Sequence, residues 1–230
     1  MDERRWRAAQ EWEAALWAAA PQSQSADRNE HHRRRFGGYA ALPQSLGHLV
    51  EFGSGPFTQL QTIIKRKTQV ASIRLVDPLA SYYTTRAKGC TYADGALSGR
   101  PVTLVAATAE DALLDPPADT LVLISVLQTV RDVAKVLQAA YNGLRPGGLL
   151  VFADRVFDGR WDLYHQASGG GGGAGGKPFW DVGHPCAVKQ PMLDHFLSGF
   201  EELFSSRYTK GDGLARDEQL YFIGRKLRKA

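Results

Sequence analysis

Cysteine is scarce: Cys90 and Cys186 are the only two in 230 residues. Two thiols cannot build a disulfide framework or a cysteine metal site, so they read as reduced, small buried residues in a reducing, cytoplasmic setting, and no metal site is expected. Long apolar runs are missing too. No stretch approaches the roughly 18 consecutive apolar residues of a spanning helix, and the N-terminus Met1-Asp2-Glu3-Arg4-Arg5 lacks a signal peptide's apolar segment. The expectation is a soluble protein with no membrane span, as a whole chain or as a domain of a longer one. Charge of one sign is not concentrated either. The net charge is +4 and the pI about 9.1, but the basic residues fall in short clusters, Arg33-Arg34-Arg35, Lys65-Arg66-Lys67 and Arg225-Lys226-Leu227-Arg228-Lys229. Such scatter reads as solvated surface rather than as a nucleic-acid face.

What is present suffices for one core. With 43% hydrophobic and 10% aromatic residues, one globular domain is expected over 46–230, preceded by a helical extension or lid over 1–45. Its centre is His48-Leu49-Val50-Glu51-Phe52-Gly53-Ser54-Gly55-Pro56-Phe57, a buried strand that meets an acidic residue and a glycine turn and then opens a helix predicted over 58–67. Glycines there let the backbone turn sharply and let a ligand lie against main chain, where the free N–H groups of a helix start point outward. Taken alone, Gly-x-Gly fits a plain strand-to-helix turn equally well. The second strand, 72–77, ends on Asp77 about 20 positions on, where a carboxylate suits a ribose diol.

The remaining chain alternates strand and helix. An Ala-rich helix over 5–20 carries Trp6, Trp12 and Trp17; Trp6 and Trp17 share a face with Trp12 to the side, which predicts a docking helix. A second helix is predicted to start on Asp27 as N-cap, with Glu30 as capping-box partner, and to end at Gly37-Gly38. Helix 80–88 and loop 89–101 precede strand 102–106, whose continuous apolar run predicts burial on both faces. Strand 120–125, amphipathic helix 130–144 and strand 149–154 follow, with a stop at Arg145-Pro146-Gly147-Gly148. Residues 168–176, almost all glycine, read as an inserted disordered tether without catalytic content. Helix 191–204 is predicted with Leu193, Phe196, Leu197, Phe200 and Phe204 on one face, then an antiparallel hairpin of 205–209 with 219–227 at the sheet edge. The fold class is therefore α/β: a Rossmann-like, doubly wound, mostly parallel sheet with N-terminal helices and a C-terminal antiparallel hairpin.

Over residues 46–157 the motifs Val50-Glu51-Phe52-Gly53-Ser54-Gly55, Asp77, Ser125-Val126-Leu127-Gln128-Thr129-Val130 and Leu144-Arg145-Pro146-Gly147-Gly148 resemble a class I S-adenosylmethionine-dependent methyltransferase of the general small-molecule type. The resemblance implies S-adenosyl-L-methionine as cofactor. It implies that Gly53, Ser54 and Gly55 pass close to its methionine and ribose, with Glu51 organising that loop. Asp77 would take the ribose hydroxyls beside Pro78, Ala109 and Glu110 would flank the adenine, and Ser125 would lie near the methionine end. The chain departs from the family at Phe57, which follows Pro56 where a third glycine is usual, at Thr108, where an acid often stands beside adenine, and at Ser125 and Gln128, where Asn and His are frequent.

A sulfonium methyl group is already electrophilic, so such a site needs alignment more than a triad, and needs a base only for a hydroxyl or a protonated amine. Asp154, His165 and His184 are the candidate bases; His31 and His32 are candidates for a lid. Trp161, Tyr164, Phe179 and Trp180 would serve as core or as an aromatic wall for the acceptor. Asp115-Pro116-Pro117 precedes its strand, whereas the Asp-Pro-Pro-aromatic motif of enzymes that methylate nucleic-acid amino groups follows it. The resulting expectation is methyl transfer to oxygen of a small-molecule or glycan substrate. The alternatives are a non-catalytic cofactor-binding subunit that meets a protein partner through its Trp-bearing helix, and a protein or nucleic-acid methyltransferase, which would require a contiguous basic surface beside the crevice.

Overall fold

The computed structural model describes residues 1–19, 23–156, 186, 188–210 and 217–228. Helices α1 (Glu3–Ala19) and α2 (Ser23–Arg35) lead through a 3₁₀ turn, Gly37–Tyr39, to β1 (Ser45–Phe52), α3 (Leu60–Ile63), β2 (Gln69–Val76), α4 (Ala80–Arg86), β3 (Ala96–Leu97), β4 (Arg100–Val105), β5 (Ala118–Ile124), α5 (Val133–Gly143), β6 (Leu144–Val156), α6 (Gln190–Leu197), β7 (Phe200–Lys210) and β8 (Asp217–Lys226). Among the described residues, no helix is long and apolar enough to cross a membrane.

One eight-stranded sheet carries the molecule, in the order β3-β4-β2-β1-β5-β6-β8-β7. β4, β2, β1, β5 and β6 are parallel, while β8 lies antiparallel between β6 and β7. Chain order reverses between β1 and β5, so the crevice that an open parallel sheet offers falls beyond the carboxyl ends of these strands. Both faces are covered because the central strands are apolar on both sides. On one face Val50, Phe52, Leu121, Leu123, Leu150 and Phe152 meet Val136, Leu137 and Ala140 of α5 and Leu193 and Phe196 of α6. On the other, Leu49, Ile73, Leu75, Val122 and Val151 meet Leu60 and Ile63 of α3, Tyr83 of α4, and Phe36 and Tyr39 beyond α2. The side chain of Asp132 caps α5, accepting from the Lys135 N–H at 3.1 Å, which places the helix start three residues inside the predicted one.

Three expectations are corrected. α2 is already helical at Ser23, so Asp27 is not its N-cap, and the Glu30 carboxylate binds Arg33 within the helix instead of closing a capping box. β4 is not buried on both faces: β3, two residues long, is its outer neighbour, so Val102, Leu104 and Val105 are half-buried and Thr103 is exposed. The helix predicted over 191–204 stops at Leu197, because Ser198 and Gly199 turn the chain and Phe200 enters β7. A register shift between Glu202 and Phe204 then puts Phe200 in one core layer and Phe204 against the other. The glycine insertion 168–176, His165, His184, Trp161, Tyr164, Phe179 and Trp180 lie outside the described residues.

Candidate active site at the carboxyl edge of the sheet

The glycine turn after β1 is a built loop with three side chains behind it. Glu51 is buried, accepts from the Thr58 hydroxyl and, at 3.1 Å, from the Gln59 N–H, and so joins the strand end to the start of α3. Burial pushes its pKa up to about 8, against the pull of those two donors and of Arg28. Asn29 of α2 extends the network: its amide donates to the Thr58 carbonyl at 3.1 Å and accepts from the Gln59 side chain at 2.7 Å. The Tyr92 hydroxyl holds the loop from the far side, donating to the Gly55 carbonyl at 2.6 Å and lying 3.3 Å from Ser54 Oγ. Nothing in the surrounding sequence marks Tyr92; it reaches the loop from a turn 37 residues away.

Asp77 closes the turn. Its carboxylate accepts from the Gly55 N–H at 3.0 Å and from the Leu79 N–H at 2.8 Å, while the side chain is 6% exposed. Burial lifts its pKa to about 6, with Glu13 of α1 adding to the rise and the two N–H donors opposing it. The carboxylate thus keeps lone pairs unspent at the edge of a cavity.

The cavity has a volume of ≈ 340 Å³, within the range of small-ligand sites. Of the sequence candidates, Gly53, Gly55, Asp77, Pro78, Ala109, Glu110 and Ser125 line it, whereas Glu51 and Ser54 support the loop from behind. Its walls follow the strand ends across the sheet, from Thr108 and Ala109 after β4, past Asp77 after β2, Gly53 after β1 and Ser125 after β5, to Arg155 of β6 and Gln219 of β8. Ser125 holds φ 57°, a left-handed backbone uncommon for a residue with a side chain, and its N–H bonds the Ala153 carbonyl at 2.7 Å. Glu110 lines the wall but is engaged: one oxygen accepts from the Arg131 and Asp132 N–H groups at 2.7 and 3.0 Å.

The two glycines differ in what they leave room for. A Cβ on Gly53 would fall 2.5 Å from Val126 Cγ2, and its φ is +67°, so no side chain fits. A Cβ on Gly55 would meet nothing within 4 Å; only its φ of +52° disfavours one. Gly53→Ala is therefore expected to destabilise the fold by about 2–3 kcal/mol in a denaturant titration, and Gly55→Ala by about 1 kcal/mol; equal losses would mean that Val126 does not press on the turn.

α1 and α2, within the 1–45 segment expected as a helical extension or lid, supply part of the cavity's lining. Trp6, Gln10, Glu13 and Trp17 of α1 line the cavity together with Trp12, which sequence spacing sets aside. Trp17 packs edge-on against Phe57 at 5.5 Å between ring centroids, and Arg28 and Arg131 cover the rings of Trp17 and Trp6 at 5.2 and 5.1 Å. The tryptophan face thus packs on the chain itself. From α2 come Arg28, His31 and His32; burial, with Arg28 and His31 near, drives the His32 pKa down to about 3, so its ring is neutral.

Asp154 does not line the cavity. Fully buried, it accepts from the Val126 N–H at 3.0 Å, the Leu127 N–H at 2.8 Å, the Gln128 amide at 3.0 Å and its neighbour's Arg155 N–H at 2.8 Å. It pins the 125–130 segment to the end of β6, each of its two oxygens accepting two of these bonds.

Residues 50–152 match a family model described as a methyltransferase domain. No curated protein sequence matches the chain. Among solved structures, N-methyltransferase NodS from Bradyrhizobium japonicum WM9, crystallised with S-adenosyl-L-homocysteine, aligns over 95% of this chain and 98% of its own with TM-score 0.62 and 14% identity. A putative methyltransferase from Bacillus halodurans C-125 aligns over 85% and 98% with TM-score 0.62 and 14% identity. The [4+2]-cyclase SpnF aligns over 91% and 84% with TM-score 0.57 and 16% identity. At such identities the likeness concerns the fold, and its range of reactions is a reminder that function rests on the site.

Proposed function

We propose that residues 50–152, which match a methyltransferase-domain model, act as a class I, S-adenosylmethionine-dependent methyltransferase, and that the chain transfers the methyl group to a hydroxyl of a small molecule or glycan held at the carboxyl edge of its sheet. The observation that carries the cofactor half of this reading is Asp77, a buried carboxylate with two backbone donors and free lone pairs beside the open space at Gly55. That arrangement fits a nucleoside with a ribose diol. Asp77 would accept the ribose hydroxyls, Gly53 and Gly55 would lie along the ribose and methionine parts, Ala109 and Thr108 would border the adenine, and Ser125 would face the methionine end.

S-adenosylmethionine, when bound, supplies a methyl group that is electrophilic because it sits on a sulfonium. The chain's own work is to align an acceptor with it and to keep water out, for which α1 and its three tryptophans form the cover. The acceptor belongs at the β6 and β8 end, where His31, His32, Gln128, Arg155 and Gln219 line the wall. The neutral His32 ring offers a hydrogen-bond acceptor to a hydroxyl. With its pKa at about 3 the His32 ring is a weak base, so its proposed part is to orient the hydroxyl by accepting its hydrogen bond rather than to carry the proton away.

The test is transfer of labelled methyl from S-adenosylmethionine to panels of hydroxyl-bearing and amine-bearing small molecules, saccharides included. Label on hydroxyl acceptors, with turnover reduced about a hundredfold in His32→Ala and S-adenosylhomocysteine affinity unchanged, is expected. Label on amines alone, or full turnover in His32→Ala, would refute the acceptor assignment.

A further inference from the structure

α2 has two working faces. Arg28, His31 and His32 look onto the strand-edge cavity, while Asn29, Glu30, Arg33 and Arg34, one step around the helix, line a separate groove of ≈ 1320 Å³. Tyr39 and Leu42 form its end, and Gln61, Lys65 and Lys67 its far wall. Arg33 and Arg34 of one basic cluster and Lys65 and Lys67 of another, apart in the sequence, therefore line one groove. Glu30 is the acidic member of the lining, and it is already bound by Arg33 and approached by Arg34 at 3.6 Å.

Lys67 is the informative residue. Its side chain is 8% exposed, its ammonium donates to the Leu42 carbonyl at 2.6 Å, and no carboxylate pairs with it among the described residues. Burial correspondingly lowers its pKa. A buried cation held by one carbonyl lacks the counter-charge that offsets its lost hydration. The hydroxyl of Tyr39, another residue of the groove's lining, is buried with no hydrogen-bond partner among the described residues. Lys65 and Arg34 stand exposed at the rim. The groove thus has an uncompensated cation in its wall and exposed cations at its rim, the arrangement that a phosphate's oxygens satisfy.

We propose that this groove binds a compact phosphate-bearing anion, with Lys67 supplying the buried charge and Arg34 and Lys65 closing over it. Tyr39 is its one aromatic lining residue among those described, and that ring is buried. The groove therefore offers no stacking platform for unpaired bases, which favours a phosphate ester or diphosphate over a single-stranded nucleic acid. The site stands apart from the methyl-transfer cavity and does not depend on it.

Calorimetric titration of the intact chain with pyrophosphate, at about 0.15 M salt so that loose surface attraction is screened, tests the proposal. Saturable one-to-one binding is expected. Lys67→Met should weaken it by at least about tenfold, with the thermal midpoint unchanged or raised because an uncompensated charge has gone. Arg34→Gln combined with Lys65→Gln, both exposed positions, should weaken it by about tenfold as well and keeps the test open where Lys67→Met does not fold. No saturable binding by the wild type, or unchanged affinity in the double variant, overturns the proposal. A short single-stranded oligonucleotide that binds there more tightly than pyrophosphate overturns it in favour of nucleic acid.

Discussion

Asp154→Ala is expected to lower the free energy of unfolding by about 3–5 kcal/mol, a large share of what holds a domain of this size together. The change removes a fully buried carboxylate and leaves three backbone N–H groups and the Gln128 amide without their acceptor. Water cannot readily replace it, because Val126, Leu127, Gln128 and Ala153 around it are themselves buried. The loss should appear in denaturant titration as a lower midpoint with an unchanged slope. The 125–130 segment, whose Ser125 and Gln128 line the cavity, should loosen with it, so ligand affinity falls too. Asp154→Asn keeps one carbonyl oxygen and is expected to lose roughly half as much. A change within about 1 kcal/mol for Asp154→Ala would mean that the carboxylate is not the pin described.

Asp77→Ala is expected to weaken S-adenosylhomocysteine binding by about a hundredfold, since hydrogen bonds from hydroxyls to a buried carboxylate are among the strong ones. Asp77→Asn, which keeps one acceptor for the Gly55 or Leu79 N–H, should lose about tenfold. The pH dependence has a defined sign. Burial raises the Asp77 pKa to about 6, and the proposed ligand favours the ionised form. Affinity should therefore be flat above that pH and fall by about tenfold per unit below it, whereas Asp77→Asn should lose this dependence. A wild-type profile that rises on acidification would assign the pH-sensitive group elsewhere.

The parts of this molecule that sequence made legible are those fixed by neighbours in the chain. The turn Gly53-Ser54-Gly55 and the acid Asp77 announce themselves because one needs residues without Cβ and the other a charge at a strand end, and the two meet in the 3.0 Å bond from Gly55 to Asp77. Strands β1, β2, β5 and β6 follow from apolar runs. What escaped depends on distance or on competition. Trp12 and Arg28 reach the cavity only because α1 and α2 fold back over the sheet edge, which no local pattern states. Leu193, Phe196, Phe200 and Phe204 keep helical spacing through a break, but pairing of β7 with β8 outweighs that periodicity after Gly199. Asp154 occupies the strand end where a base is sought, yet the four donors converging on it are visible only in three dimensions.

Glu51 and Asp77 illustrate how the site is held in readiness. Both carboxyls are lifted by burial, to about 8 and about 6, and both are tied to the same loop, Glu51 through Thr58 and Gln59 and Asp77 through Gly55. Their raised values mean that they contribute most to stability when protonated and that this contribution fades as pH rises through those values. The folded chain therefore maintains ionised Asp77 at some expense, as a site does when its ligand supplies the missing donors.

The most direct measurement is calorimetric titration of S-adenosylhomocysteine into the wild-type chain and into Asp77→Ala at neutral pH. One-to-one binding by the wild type, weakened about a hundredfold in the variant, is the predicted result. No binding by the wild type, or equal binding by both, would contradict the assignment of the Gly53–Asp77 cavity to the cofactor.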